Sequence, residues 1–191
     1  MTDWQPTWRK PIVKPKLEEY IDKELADKIF LPEMEWVTMP IQDFVDKLLA
    51  LHNKLFTESI TDIPVHGPLL ESIKNEGLIH PILAQHQWYP MTGNQRLRCA
   101  ITLGKDFCKN NEITIARIKH PVWDSIGVWP DKTNIEDFLA MYFECISHVF
   151  KSRYNTHATD STGRDMRSYE YRRPSDELPI NPNPLADWVS S

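Results

Sequence analysis

The chain has 191 residues, of which 41% are hydrophobic and 26% charged, and its formal net charge is −5. This balance suits one folded domain with extensions and disfavours a protein built mainly to coat nucleic acid, which is usually basic. No apolar run reaches the roughly 18 residues of a membrane helix, and the amino terminus lacks the apolar segment of a signal peptide. The three cysteines have no metal-ligand spacing. We therefore expect a reduced, cytoplasmic setting and no membrane contact.

Prolines concentrate towards the two ends of the chain, where they favour extended and irregular backbone. The pattern predicts a Pro/Trp-rich amino-terminal arm over residues 1–35, with a short amphipathic helix within residues 16–30. A folded domain is expected over residues 36–152. A polar tail rich in arginine, tyrosine and proline follows over residues 153–191, with few apolar groups to stabilise a fold of its own.

Within the domain, apolar periodicity predicts an α+β fold with a small mixed sheet. His52 lies on the apolar stripe of the first helix and is interpreted as a boundary residue. Thr133 and Glu136 form a capping box at the start of the last helix. The predicted elements are a strand over 35–39, a helix over 40–56, a helix from Pro68 to Gly77, a hairpin of strands over 78–85 and 87–91, a helix over 93–104, a strand over 112–120 and a helix over 133–152.

The segment Gly93-Asn94-Gln95-Arg96 stands at the mouth of the predicted 93–104 helix. The first turn of a helix leaves backbone N–H groups without partners, and the helix dipole adds partial positive charge there. A glycine allows close approach of a ligand, and an arginine can direct two donors at one phosphate. The segment therefore suits an anion, although Asn94 as a simple cap and Arg96 as a surface arginine remain open.

Two short motifs surround this turn in a fixed order. The first contains Ser72-Ile73, Gly77 and Pro81; the second contains Gly93, Arg96, Ala100 and Leu103-Gly104. Together they resemble the ParB/sulfiredoxin-like superfamily, and the chain looks like a divergent member with a ParB N-terminal-like domain over roughly residues 36–120. The resemblance implies a ParB/sulfiredoxin-like fold that binds a nucleoside di- or triphosphate, with or without magnesium, at Gly77, His80, Pro81, Gly93, Asn94, Gln95 and Arg96.

Departures from the family pattern limit what the resemblance implies about chemistry. Gln95 occupies the position of the sulfiredoxin catalytic cysteine, so reduction of a sulfinic acid is not expected. His80 and Asn94-Gln95 replace residues typical of ParB partition proteins, and no helix-turn-helix follows. Nucleotide hydrolysis, phosphoryl transfer to a small molecule and nuclease activity stay open, with the catalytic residues unknown.

Two further hypotheses come from the arms. The tail arginines, together with the family resemblance, suggest DNA binding or a nuclease of the ParB-like type, with candidate contacts at Arg164, Arg167, Arg172 and Arg173. The prolines and tryptophans of the arms alternatively suit a non-catalytic protein that binds a protein partner or self-associates. Arg98 lies about 200° around the helix from Arg96 and is expected to face away from the phosphate site. Cys99 is expected in the core, and no metal site is predicted.

Overall fold

The computed structural model describes residues 32–121, eight helical positions between 139 and 150, and residues 174–189. The predicted amino-terminal helix, most of the tail and the start of the 133–152 helix lie outside these residues. The elements are β1 (Met34–Pro40), α1 (Ile41–Thr61), α2 (Gly67–Glu76), β2 (Ile82–Ala84), α3 (Asn94–Thr102), α4 (Lys105–Asn110), β3 (Glu112–Ile118), a 3-10 turn (Pro174–Asp176) and α5 (Ala186–Val189).

The three strands form one mixed sheet in the order β1-β3-β2. β1 pairs with β3 in antiparallel fashion, with Trp36 opposite Ala116, and β2 pairs with β3 in parallel. The central strand β3 is apolar on both faces, since Ile115 and the adjacent Ala116 are both buried. The predicted α+β fold with a small mixed sheet is confirmed.

α1 begins directly after β1, and Pro40 is the last strand residue rather than the first helical one. The backbone N–H of Ile41 donates to the carbonyl oxygen of Asn111 at 2.9 Å, which satisfies one exposed donor of the first turn. The helix continues five residues beyond the predicted end, to Thr61, after a kink at His52 (φ −138°, ψ 32°). The kink accommodates a hydrogen bond in which Nε2 of His52 donates to the carbonyl oxygen of Gln87 at 2.8 Å.

The predicted hairpin over residues 78–91 is wrong in its second strand. The first strand is reduced to Ile82–Ala84, and the return is one isolated bridge between Ala84 and Pro90. Trp88 has a positive φ of 72°, which interrupts an extended course. Surrounding side chains hold this turn, because Nη1 of Arg117 donates to the carbonyl oxygen of His86 at 2.6 Å.

The predicted 93–104 helix corresponds to α3. A second short helix, α4, follows it and was not predicted. Gly104 separates the two with φ 101°, and the backbone of Cys108 donates to its carbonyl oxygen at 3.1 Å. The sequence pattern did not predict α4, because a helix of six residues is too short to show helical periodicity. Cys108 and Cys99 are both fully buried, which confirms the expected core position of Cys99.

The core lies between the sheet and helices α1, α3 and α4, and the end of the tail completes it. Leu185 is fully buried and Trp188 is 7% exposed, and both belong to the main apolar cluster. The described positions between 139 and 150 are helical, as predicted, and Phe150 among them stacks on Trp36 with ring centroids 6.2 Å apart. Within the described ranges, no helix is both long and apolar enough to cross a membrane.

Candidate functional site

A small pocket lies between α2 and α3. Its volume is about 280 Å³ including the open mouth. It contains residues of both sequence motifs and four aliphatic side chains. The lining residues are Leu69, Ser72 and Ile73 from α2, Gly77, Leu78, Ile79 and His80 from the link to β2, and Arg96 from α3.

The link that forms one wall of the pocket begins at Gly77. α2 ends there with φ 74°, a conformation that glycine adopts without steric cost, and the backbone N–H of Gly77 closes the last turn on Ile73 at 2.8 Å. This is the stop that the sequence predicted. The turn directs the chain from α2 across the pocket to His80 and then into β2.

Arg96 connects the two motifs. It lies in the first turn of α3, and its side chain crosses to the link, where Nη1 donates to the carbonyl oxygen of His80 at 2.5 Å and Nη2 to that of Pro81 at 3.2 Å. Only 7% of Arg96 is exposed. The interpretation of Arg96 as a surface arginine is therefore wrong. A buried guanidinium holds the link in place and contributes its charge to the pocket wall.

Gly93 precedes α3 in the left-handed conformation, with φ 82°. A Cβ atom at this position would lie 2.2 Å from Cγ2 of Ile82 and 3.0 Å from Nη2 of Arg96. The glycine is required by packing against the protein itself. The sequence analysis interpreted Gly93 as leaving space for a ligand. Ile82 occupies the space where the Cβ of residue 93 would lie.

The other two residues of the turn are half-buried at the start of α3. Asn94 is the first helical residue rather than the cap, and its Nδ2 donates to the carbonyl oxygen of Pro90 at 3.5 Å. Gly93 occupies the cap position, so no side chain caps the start of α3. The backbone N–H groups of Asn94, Gln95 and Arg96 precede the first i to i−4 bond of α3, which runs from Leu97 to Gly93 at 2.9 Å. This end of the helix therefore carries partial positive charge.

Arg98 faces away from the pocket, as predicted. Its Nε donates to the carbonyl oxygen of Ile63 at 3.3 Å and its Nη2 to that of Asn181 at 3.4 Å. It is 3% exposed, and burial lowers the pKa of its guanidinium, an effect that the neighbouring Cys99 thiol partly opposes. Arg98 thus joins α3 to the α1–α2 link and to the carboxyl-terminal segment.

Ser72 is a pocket residue that the site prediction omitted, although it stood in the first motif. It is 5% exposed on the inner face of α2. Ser72, His80 and Arg96 are the polar residues of the lining, beside its four aliphatic residues. The lining includes no carboxylate. Such a set is suited to an anion and offers nothing of the kind that Mg²⁺ prefers as a protein ligand.

The structure brings together Gly77, His80, Pro81, Gly93 and Arg96 through the contacts above. Asn94 and Gln95 flank the same helix end without contacting the link. Among the described stretches, no cluster of three or more histidine, cysteine or acidic residues could hold a metal ion. The tail arginines Arg164, Arg167, Arg172 and Arg173 lie outside the described residues.

Comparison with protein-family models finds no match. Comparison with curated proteins also finds none. Among solved structures, the chain is similar to the C2221 crystal form of a Pnob8-like ParB-N domain, with 17% sequence identity and a TM-score of 0.28 over 72% of this chain. The matched part spans 59% of that structure. The likeness concerns the fold alone.

Proposed function

We propose that the protein is a nucleotide-binding domain that holds the phosphate groups of its ligand in the pocket between α2 and α3. The observation that carries this proposal is the position of Arg96. Its guanidinium is fixed by the carbonyl oxygens of His80 and Pro81, and Arg96, in the first turn of α3, lines the pocket. A fixed guanidinium beside the positive end of a helix is a favourable environment for a phosphate.

The pocket is too small to enclose a nucleotide, since its volume of about 280 Å³ includes open solvent at the mouth and pockets that enclose a whole small molecule usually measure about 300–1,000 Å³. The proposal therefore places a phosphate group at the mouth of the pocket, beside Arg96, with the nucleoside outside. Ile79 lies at the pocket and is 62% exposed, so it provides an apolar surface for the part of the ligand outside the pocket.

The chemistry of the lining supports binding better than catalysis. His80 is the only side chain among the eight lining residues of a type that commonly acts as a general base. General base catalysis on a hydroxyl or on water needs such a group, while metal-assisted phosphoryl transfer also needs ligands for the metal. Hydrolysis or transfer therefore requires groups from outside this pocket, and the binding role stands without them.

The test is isothermal titration of the full chain with ATP, CTP, GTP, ADP and inorganic pyrophosphate, each with and without magnesium. We expect binding that weakens about tenfold or more in Ser72→Ala and His80→Ala, since each removes a polar group from the pocket. Lys74→Ala is the matched control, because Lys74 is an exposed cation on α2 outside the pocket. No binding of any of these ligands to the wild type would refute the proposal.

The alternative functions stay predictions. The arginines that suggested DNA contacts lie outside the described residues, as does the part of the amino-terminal arm that suggested self-association. A protein that keeps this fold for interaction alone would not bind phosphate compounds, so the same titration distinguishes it from a nucleotide-binding domain.

A further inference from the structure

The end of the chain, residues 177–188, packs back onto the domain and is named here the C-terminal strap. Its first contact is with the start of α2. Glu177 forms an antiparallel bridge with His66, and the backbone N–H of Leu178 donates to the carbonyl oxygen of Val65 at 2.8 Å. His66 is the residue immediately before α2.

The second contact of the strap is with α3. Nη2 of Arg98 donates to the carbonyl oxygen of Asn181, and Nε of the same side chain donates to Ile63 in the α1–α2 link. Arg98 stands two residues after Arg96 on the same helix. A buried guanidinium held by carbonyl oxygens alone depends on both acceptors, because its Nη1 is buried and makes no hydrogen bond. Removal of the strap would leave this buried cation with one acceptor fewer.

The third contact is apolar. Leu185 at 0% and Trp188 at 7% exposure are packed into the main core cluster, while Ile180 in the middle of the strap is 87% exposed. The strap is thus attached at its two ends and by one arginine between them.

From these contacts we propose that docking of the strap and occupation of the pocket are thermodynamically coupled, with each favouring the other. The strap holds the start of α2 and the Arg98 side of α3. The pocket is lined by other residues of the same two helices, among them Leu69, Ser72 and Arg96. A ligand in the pocket and a docked strap therefore stabilise one arrangement of α2 and α3. This inference rests on the proposed phosphate-binding function of the pocket.

Reciprocity makes the coupling measurable from both sides. If the strap raises the affinity of the pocket by some factor, the ligand must raise the stability of strap docking by the same factor. The exchange rate of the Leu178 amide reports docking, because this N–H donates to Val65 only when the strap is in place. Local opening of a terminal segment is the kind of event that amide exchange resolves.

The experiment uses the full chain and inorganic pyrophosphate as the probe. We expect saturating pyrophosphate to slow exchange of the Leu178 amide by about tenfold, and Leu185→Ala to weaken pyrophosphate binding by up to the same factor, which is reached when the strap is fully undocked. Ile180→Ala is the matched control within the strap and should change neither quantity. Circular dichroism establishes whether Leu185→Ala is folded; where it is not, exchange in the wild type decides alone.

The outcomes separate the two proposals. Binding of pyrophosphate to the wild type with an unchanged Leu178 exchange rate would overturn the coupling and leave the proposed function standing. Absence of pyrophosphate binding to the wild type would overturn the coupling, and absence of binding of ATP, CTP, GTP and ADP as well would overturn the proposed function. Slower exchange with pyrophosphate together with a loss of affinity in Leu185→Ala would support both.

Discussion

The guanidinium of Arg96 donates a hydrogen bond to the backbone carbonyl oxygen of His80. Any residue at position 80 supplies that acceptor, whereas an arginine is needed to reach both His80 and Pro81 at once. The structural role of Arg96 can therefore be tested separately from the ligand-binding role that we propose for His80.

Arg96→Lys is expected to destabilise the protein by about 1–3 kcal/mol, because a lysine reaches one of the two carbonyl oxygens at most and leaves the other buried without a donor. His80→Ala keeps the backbone acceptor and is expected to change stability by less than about 1 kcal/mol. Urea unfolding of the two variants and the wild type measures both quantities. Equal stability of all three proteins would contradict the bracing role of Arg96.

Two glycines with positive φ, Gly93 and Gly104, allow the backbone strain of an added side chain to be separated from its steric overlap with neighbouring atoms. Gly93→Ala brings a Cβ to within 2.2 Å of Ile82, while Gly104→Ala, at φ 101°, has no atom within 4 Å of its Cβ. Both substitutions incur a backbone cost of about 1–3 kcal/mol, since Gly93 is left-handed and Gly104, at ψ 169°, lies in a region that glycine alone adopts readily, and Gly93→Ala adds about 1–3 kcal/mol of overpacking. Thermal unfolding should rank Gly93→Ala well below Gly104→Ala. The reverse order would mean that Gly93 is not packed as described.

The buried thiol of Cys108 predicts a loss of stability in alkali. Burial raises its pKa from the ordinary 9.0 to about 12. Between these values the unfolded chain has lost the proton and the folded chain keeps it, so unfolding releases a proton. Stability contributed by this group is complete below pH 9.0 and falls by up to about 1.4 kcal/mol per pH unit above it.

Cys108→Ala removes this contribution and serves as the control. The slope of unfolding free energy against pH, measured from about pH 8 to about pH 11, should be less steep in the variant than in the wild type. Burial also raises the pKa of Tyr142. Because Tyr142 is present in both proteins, its effect on the slope cancels in this comparison. Identical slopes would show that the Cys108 thiol is not shielded from solvent.

The turn at Trp88 predicts unequal roles for its two cations. Lys47 and Arg117 lie over the indole ring, at 4.6 and 4.7 Å from its centre. Arg117 additionally donates to Glu35 at 2.7 Å and to the carbonyl oxygen of His86. Arg117→Met should therefore cost about 1.5–3 kcal/mol, and Lys47→Met about 1 kcal/mol or less. Chemical unfolding distinguishes them, and equal losses would assign no special role to the Arg117 hydrogen bonds.

The sequence predicted the elements whose helices are long enough to show apolar periodicity or end at a glycine. The apolar stripe that begins at Ile41 predicted α1, and Gly77 predicted the end of α2. The turn at residues 85–90 was not predictable, because Trp88 adopts a positive φ that its residue type disfavours and that tertiary contacts from Arg117 and His52 maintain. α4 was missed because it is short.

The candidate site was predictable only in part, since Gly77, His80 and Arg96 of the seven predicted residues line the pocket and Ser72 was missed. The motifs identified Gly93 and Arg96, yet whether an arginine contacts a ligand or the backbone depends on contacts between residues 15 and 16 positions apart. Spacing alone carries no such information. The packing of Leu185 into the core was equally hidden, because the polar composition of the tail predicted no attachment.

The DNA-binding alternative predicts a salt-sensitive mobility shift of labelled duplex DNA. Deletion of the tail is an unsuitable test, because residues 177–188 pack on the domain. Replacement of Arg164, Arg167, Arg172 and Arg173 by glutamine in the full chain keeps the strap and removes four charges. A shift that persists unchanged in this variant would exclude the tail arginines, and no shift at low salt would exclude DNA binding.

The most direct test of the central claim is the nuclear magnetic resonance signal of the Arg96 side chain during titration with nucleotides and pyrophosphate. We expect a saturable change in the Arg96 guanidinium signal, while that of Arg117, which is held by Glu35 and His86 away from the pocket, stays unchanged. A saturable change in the Arg96 signal with no change in the Arg117 signal would support phosphate binding in the pocket between α2 and α3. Binding that leaves the Arg96 signal in place would contradict it.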